Sequence, residues 1–504
     1  MINPLNWTFL FPKSAVKAAS LPPCRPLRKL VFSLLGAALL SNISSAAEIE
    51  LPLLGDSSSG IISKNQEYTL GKTWLQAFRG RVKQYDDPLL QAYLEHLIYN
   101  LATYSDLDNP RLTLVVVNNP TINAFAVPGG IVGFHTGIFS YAENEDQMVS
   151  ILAHELAHLS QRHFARGIEA RRNASAISLA GLLATLVLSS TVGSDAGLAA
   201  MSATQAFTID KQLRYSRGNE QEADRVGLKT MQRAGRDPNA MADMFGEMLK
   251  ATRYNGNRVP EFLLTHPVTE KRVADTRART FSNQQRHYPD STEFYIMQAR
   301  AQVAMQKNPV NSIKHYQRKL AANTQQTEAA RYGLALAHLK QRTYQDAQHI
   351  ILDLLADRPN YLPFLHTHIE IDIALQRFDQ ALATLERQLS LNQNSYPLRT
   401  LQADALWKAH HYEKAAEVLA KLSQSRPEDP MIWYKLAEVR GLAGNISGVH
   451  EARAEYFILV GALDRARKQL GLAAKLVVAD FKRLSIVKQR LRDIANMQEQ
   501  LEKL

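Results

Sequence analysis

Three aromatic residues, Tyr344, Phe378 and Tyr412, stand 34 residues apart, and an alanine follows each at the third position: Ala347, Ala381 and Ala415. Pro359 and Pro427 lie two periods apart, where turns after the second helices fall. A ring and a small residue returning at one phase require the same unit to be built several times. The pattern inside each unit is helical, and the alanines let two helices approach closely. One such pair cannot bury its apolar face alone, so successive pairs must stack into an extended array. Extending the register gives weaker units around Ile313 and around Ile446 and Val449. Residues 470–504, with the charged Lys482–Lys503 stretch, read as capping helices.

The period and the aromatic-x-x-Ala core match tetratricopeptide repeats, placed here over residues 290–504. Such arrays offer a groove to other chains, although the repeat does not name them. Upstream, from Glu48 to about residue 285, the pattern is mixed. Asp87-Pro88 is a cap followed by a first-turn proline, and Leu89, Leu90, Tyr93, Leu94, Leu97, Ile98 and Leu101 then recur at helical spacing. Residues 112–117 read as a strand, 123–127 as a second, and Ile131 to Phe134 as a return strand after the turn Pro128-Gly129-Gly130. Asn144 caps a long helix whose first turn holds Glu145 and Asp146, which complement its dipole. The fold class expected is α+β and predominantly helical: a domain at 48–285 with a small sheet, then an all-α solenoid.

Residues 1–47 are expected to be removed. They contain Lys13, Lys17, Arg25, Arg28 and Lys29, no acid, an apolar run from Leu30 to Leu40, and small residues up to Ala47. That is the layout of an export signal. The net charge of +11 includes those five cations, so the remainder is only mildly basic. It has no Lys/Arg-rich run, and nucleic acid is not an expected partner. The single cysteine, Cys24, lies in this leader. Thiol nucleophiles and disulfides are therefore excluded from the exported chain, which must rest on packing or metal. A second apolar stretch, residues 174–192, is interrupted by Ser175, Ser178, Gly181, Thr185, Ser189 and Ser190. It reads as a helix near the active site that touches a membrane surface rather than a span.

The chemistry begins at His154-Glu-Leu-Ala-His158. On a helix, positions i and i+4 share a face, so both imidazoles can address one metal ion, with Glu155 placed to handle the proton of a water. The flanks Met148, Val149, Ile151, Leu152, Ala153, Leu156, Ala157 and Leu159 make this helix nearly all apolar and buried. Polar groups there need partners. Two imidazoles and a carboxylate suit zinc, which takes three protein ligands in catalytic sites. Gln161 and Phe164 stand where a metzincin needs glycine and histidine. His163 falls on the far side of a continued helix and reads as a surface or supporting residue. Glu220 and Asp224, four apart, offer one carboxylate for the metal and one to fix the tautomer of a ligand histidine. Glu222 reads as a solvated charge.

The ordered set Asn123-Ala-Phe-Ala-Val-Pro-Gly-Gly130, His154-Glu-x-x-His158, Glu220-x-x-x-Asp224 and His266-Pro267 resembles the gluzincin metallopeptidases that include the CAAX prenyl protease and the membrane protease HtpX. The resemblance implies a zincin-like domain that binds one zinc ion. It implies His154, His158 and Glu220 as ligands, Glu155 as general base and Asp224 as a supporting group. It implies that His266 is either a latching fourth ligand or an oxyanion stabiliser, and that Asn123, Ala124, Phe125 and Ala126 form a strand that receives substrate. Arg272 is similarly placed to act at the site. Members with an export signal and a repeat array imply a periplasmic endopeptidase for misfolded or stalled outer-membrane proteins. In that setting the array would dock clients or the barrel assembly machinery. A rival expectation makes the array a chaperone or scaffold and the protease latent.

Overall fold

The computed structural model describes residues 62–170, 217–254, 261–280, 288–322 and 326–502. The leader 1–47 and the apolar stretch 174–192 lie outside the described residues. Among the described residues, no helix is long and apolar enough to cross a membrane.

Helix α1 (Lys64–Arg79) starts at a capping box made by Ser63 and Gln66. Helix α2 (Pro88–Tyr104) starts at Asp87, which accepts from the Leu90 N–H at 3.1 Å and places Pro88 in the first turn. Its apolar residues turn one face inward, and Leu90, Leu94 and Ile98 are fully buried. Three strands follow: β1 (Thr113–Val117), β2 (Ala124–Val127) and β3 (Ile131–His135). Their order is β1-β3-β2. Strand β2 runs antiparallel to β3 with Ala124 opposite Phe134, and β1 runs parallel to β3 with Thr113 opposite Ile131.

The β2–β3 turn uses Gly129 and Gly130 at φ 85° and 81°, a backbone region that side chains disfavour. Gly133 meets a different demand. A Cβ there would come within 2.0 Å of the Phe125 ring, which lies across β3 and packs on Trp74 and Phe78 at 5.5 and 5.8 Å. The sheet thus leaves β2 on its edge.

After the short α3 (Ile138–Tyr141), helix α4 (Glu145–Ser160) begins at Asn144, whose side chain accepts from Gln147 N–H at 2.9 Å. Among the described residues, the remaining helices of this part are α5 (His163–Ala170), α6 (Arg217–Arg233), α7 (Asn239–Tyr254), α8 (Glu261–Thr265) and α9 (Glu270–Thr280). Helix α4 packs against α6, α7 and β2, which buries nearly its whole length.

The array comprises α10 (Thr292–Met305), α11 (Pro309–Ala321), α12 (Thr327–Gln341), α13 (Tyr344–Asp357), α14 (Leu362–Ala374), α15 (Phe378–Leu391), α16 (Tyr396–Lys408), α17 (Tyr412–Ser425), α18 (Pro430–Leu442), α19 (Ile446–Leu459), α20 (Leu463–Leu476) and α21 (Phe481–Glu502). Ala347, Ala381 and Ala415 are completely buried. The 34-residue period also governs the backbone. Arg342, Gln376, His410 and Gly444, each 34 residues on, turn from first to second helix with φ of 68°, 61°, 63° and 77°. Three of the four bear side chains in a left-handed conformation that costs on the order of 1–2 kcal/mol.

The core does not stop at residues 285–290. One apolar cluster runs from Leu89 in α2 to Ile371 in α14. Phe294 stacks on Phe139 at 6.0 Å, and Gln298 donates to the carbonyls of Phe139 and Ala142 at 2.9 Å. Arg300 is the polar joint. Its guanidinium bonds Asp87 at 2.7 Å and Glu370 at 2.9 Å, and touches Tyr332 Oη at 3.3 Å. Farther along, Arg426 pairs with Glu95, Lys435 pairs with Asp86 at 3.2 Å, and Gln76 donates to the Ile458 carbonyl at 3.0 Å. Both helices of a pair contribute to this contact: Lys435 lies on α18, a first helix, whereas Arg426 follows α17 and Ile458 lies on α19, both second helices. There, a cavity of about 350 Å³ is lined by Asp87, Arg300, Glu370, Asp404 and Lys435 among others.

Two outcomes follow for stability. Gln376→Gly should stabilise the chain by about 1 kcal/mol, read as a raised thermal midpoint. Arg300→Met should cost about 3 kcal/mol in chemical denaturation, because it strands the buried Asp87 carboxylate and the half-buried Glu370 carboxylate. Partial burial would raise the Glu370 carboxyl, but Arg300 and His366 hold it well below the ordinary carboxylate value of 4.5. Its contribution is complete above that value and is lost on acidification, so the gap between wild type and variant should shrink as the pH falls below 4.5.

Candidate active site

The interior position of α4 puts His154, Glu155 and His158 at or below 3% exposure. Helix α6 brings Glu220 and Asp224 against them, and the chain leaving α8 brings His266. Donor atoms of His154, His158, Glu220 and His266 all lie within 4.8 Å of one another. The Nε2 atoms of His154 and His158 are 3.0 Å apart, and each lies 3.5 Å from a different Glu220 oxygen. Two ligands on a tetrahedral zinc with bonds near 2.05 Å stand about 3.3 Å apart. The donor set therefore fits zinc in spacing as well as in chemistry.

Among the described residues, both oxygens of Glu155 are buried without a close hydrogen bond, and Nε2 of His266 stands 3.7 Å from one of them. A carboxylate left so is costly unless something polar is meant to come to it. Burial pushes its carboxyl above the ordinary range, against the opposing pull of His266 and His154. That suits a group that must hold a proton and release it. Burial alone would lower His154, but Asp224 and Glu220 carry it up to about 9. The same negative field favours a metal cation between the rings.

Arg272, on α9, organises the acids. It donates to Asp224 at 2.6 and 2.7 Å, to Glu220 at 2.9 Å and to the Pro267 carbonyl at 2.9 Å. Its guanidinium lies 4.8 Å from the Phe245 ring centre. His154 Nδ1 lies 3.1 Å from Asp224 Oδ1. His266, set just before Pro267, lies 3.1 Å from Glu220 through Nδ1 and 3.7 Å from Glu155 through Nε2. Strand β2 passes close enough for the Ala126 N–H to influence Glu155. Asn123 and Ala124 are buried, while Phe125 and Ala126 are half-buried.

For His163 the structure selects the supporting alternative over the surface one, and for Glu222 it corrects the expectation. His163 is 1% exposed and therefore not a surface residue. Helix α4 ends at Ser160, and Arg162 adopts φ 49°. The break turns His163 back so that its Nδ1 lies 2.8 Å from Nδ1 of His158. Arg162 is held by Glu67 at 3.1 Å and the Ile62 carbonyl at 2.9 Å. Glu222 is not a free solvated charge: it meets His163 at 3.3 Å and Arg166 at 3.0 Å. A left-handed arginine leaves no mark in a sequence. For Arg272 the resemblance implied a place at the site, and the structure shows its contacts with both acids.

A helical α+β part with this donor set, followed by a repeat array, is the layout of a metallopeptidase. The model of peptidase family M48 matches residues 88–280, and a tetratricopeptide-repeat model matches 372–439. The beta-barrel assembly-enhancing protease of Escherichia coli (strain K12) is 31% identical over 481 residues, covering 94% of this chain and 98% of that protein. The mitochondrial metalloendopeptidase OMA1 of Schizosaccharomyces pombe is 31% identical over 203 residues, covering 39% of this chain and 57% of that one. A tetratricopeptide repeat protein from Parabacteroides merdae covers 55% of this chain and 100% of its own, with a TM-score of 0.27 and 12% identity. The chain belongs to peptidase family M48 and is a zinc metalloendopeptidase.

Arg272→Met should weaken zinc binding by roughly 10- to 100-fold, because Glu220 and Asp224 lose the group that orients both. Chelator competition at fixed pH measures this directly.

Proposed function

We propose that this chain is a periplasmic endopeptidase that degrades misfolded or stalled outer-membrane proteins and assists barrel assembly. His154, His158 and Glu220 hold the zinc, with Asp224 orienting His154. The observation that carries the reading is Glu155: a buried carboxylate that, among the described residues, forms no close hydrogen bond and stands beside four converging donors. Zinc, when bound, supplies Lewis acidity toward the scissile carbonyl and toward water.

The chain's own residues do the rest. Glu155 takes a proton from the attacking water and delivers it to the leaving amine. Strand β2 receives substrate as an added strand, with Asn123 to Ala126 offering main-chain hydrogen bonds. Two features support this: β2 is an edge strand, and it packs against α4. Such pairing favours extended, unfolded chains with little sequence selectivity. His266 acts as a latch. Its closeness to both Glu220 and Glu155 supports that role over an oxyanion stabiliser. Clients and the barrel assembly machinery dock through the repeat array. The full-length match to a beta-barrel assembly-enhancing protease supports the outer-membrane setting, and the leader-like residues 1–47 support export. Residues 174–192 are proposed to touch the membrane surface.

Zinc-loaded protein spanning 48–504 should cleave casein, and Glu155→Gln should lower the rate by at least 100-fold. His266→Ala should raise the casein rate severalfold; a fall would assign His266 to the oxyanion instead. If neither the parent nor His266→Ala cleaves, the array is the working part and the chain acts as a scaffold.

A further inference from the structure

A second imidazole stands behind one of the proposed zinc ligands. His158 turns Nε2 toward His154 and Glu220, and turns Nδ1 toward Nδ1 of His163 at 2.8 Å. The other nitrogen of His163, Nε2, lies 3.3 Å from Glu222 Oε2, and Arg166 holds that same oxygen at 3.0 Å. His163 is 1% exposed. If the Nε2 lone pair of His158 faces zinc, its Nδ1 must carry the hydrogen. His163 must then accept at Nδ1, which puts its own hydrogen on Nε2, pointing at Glu222. One assignment gives every nitrogen a complementary partner, and it runs in a single direction from carboxylate to metal position.

We infer that His163 is a positioning residue that fixes the ring and tautomer of His158 and relays the charge of Glu222 to it. This rests on the reading of His158 as a ligand. The two ligand histidines are thus supported differently. Behind its ring, His154 has the carboxylate of Asp224 at 3.1 Å from Nδ1, whereas Nδ1 of His158 meets a second ring, with the carboxylate of Glu222 beyond it. An aspartate or glutamate at 163 would place a negative charge directly behind His158. A histidine passes on basicity in reduced measure and adds a rigid plane that stops the His158 ring from turning. Arg166 and His163 sit on one helix, α5, while Glu222 sits on α6, so this support exists only when α5 is packed in place.

The test is zinc affinity by chelator competition, with the visible spectrum of the cobalt-substituted protein as a second readout. His163→Leu should bind zinc about 10- to 100-fold more weakly and alter the cobalt bands. His163→Asn, whose amide oxygen takes the place of Nδ1, should recover most of that loss. Glu222→Gln, remote from the ligands, should give a smaller loss in the same direction. His158→Ala is the reference and should lose tight zinc binding. If it binds zinc like the parent, the ligand reading itself is wrong. If His158→Ala loses zinc while His163→Leu and Glu222→Gln bind like the parent, only the relay is overturned. Should His163→Leu fail to fold, His163→Asn and Glu222→Gln decide the matter: a cobalt spectrum and affinity unchanged in Glu222→Gln would refute the relay.

Discussion

Everything near the site follows from one constraint: an apolar helix buries two imidazoles and a carboxylate at its centre. Each would be costly there alone. Helix α6 answers with Glu220 and Asp224, which would be costly in turn. Arg272 closes the set by contacting both acids while lying over Phe245. Glu155 is left outside this mutual satisfaction. Among the described residues, the fold spends its polar partners on positioning the donors and leaves Glu155 without a close hydrogen bond. That asymmetry separates a reactive centre from a structural ion-pair network.

Much of this was legible from spacing. His154 and His158 share a face because any helix puts i and i+4 together, and Asn144 capped the helix as its type and place required. The 34-residue period located the array, and the same period reappears in left-handed residues that no residue type announces, since arginine, glutamine and histidine occupy three of the four. Other features depended on tertiary contacts. Strand β1 joins the sheet beside β3, parallel to it, which places β2 on the edge; no local pattern sets that order. The support of His163 depends on a backbone reversal at Arg162, and that reversal is held from α1 by Glu67.

The division of the chain at residues 285–290 is a change in sequence pattern more than a physical seam. Phe139, Phe294 and the Arg300 joint place the first repeat helices in the same core as α2. The charged cavity around Arg300 is bounded by both parts. The inner face of the array is therefore committed in part to the peptidase portion, and a partner bound there would meet residues from both.

The pairing of α5 with α6 has a topological effect. Residues 171–216 connect these helices, and the flanks of that connection are joined by His163, Arg166 and Glu222. A backbone cut in the connection would leave the flanking helices α5 and α6 joined beside His158. The metal-binding elements on either side of the cut, α4 and α6, would still pack directly on one another. Clipping there would yield a two-chain protein that keeps its centre assembled rather than two separate fragments.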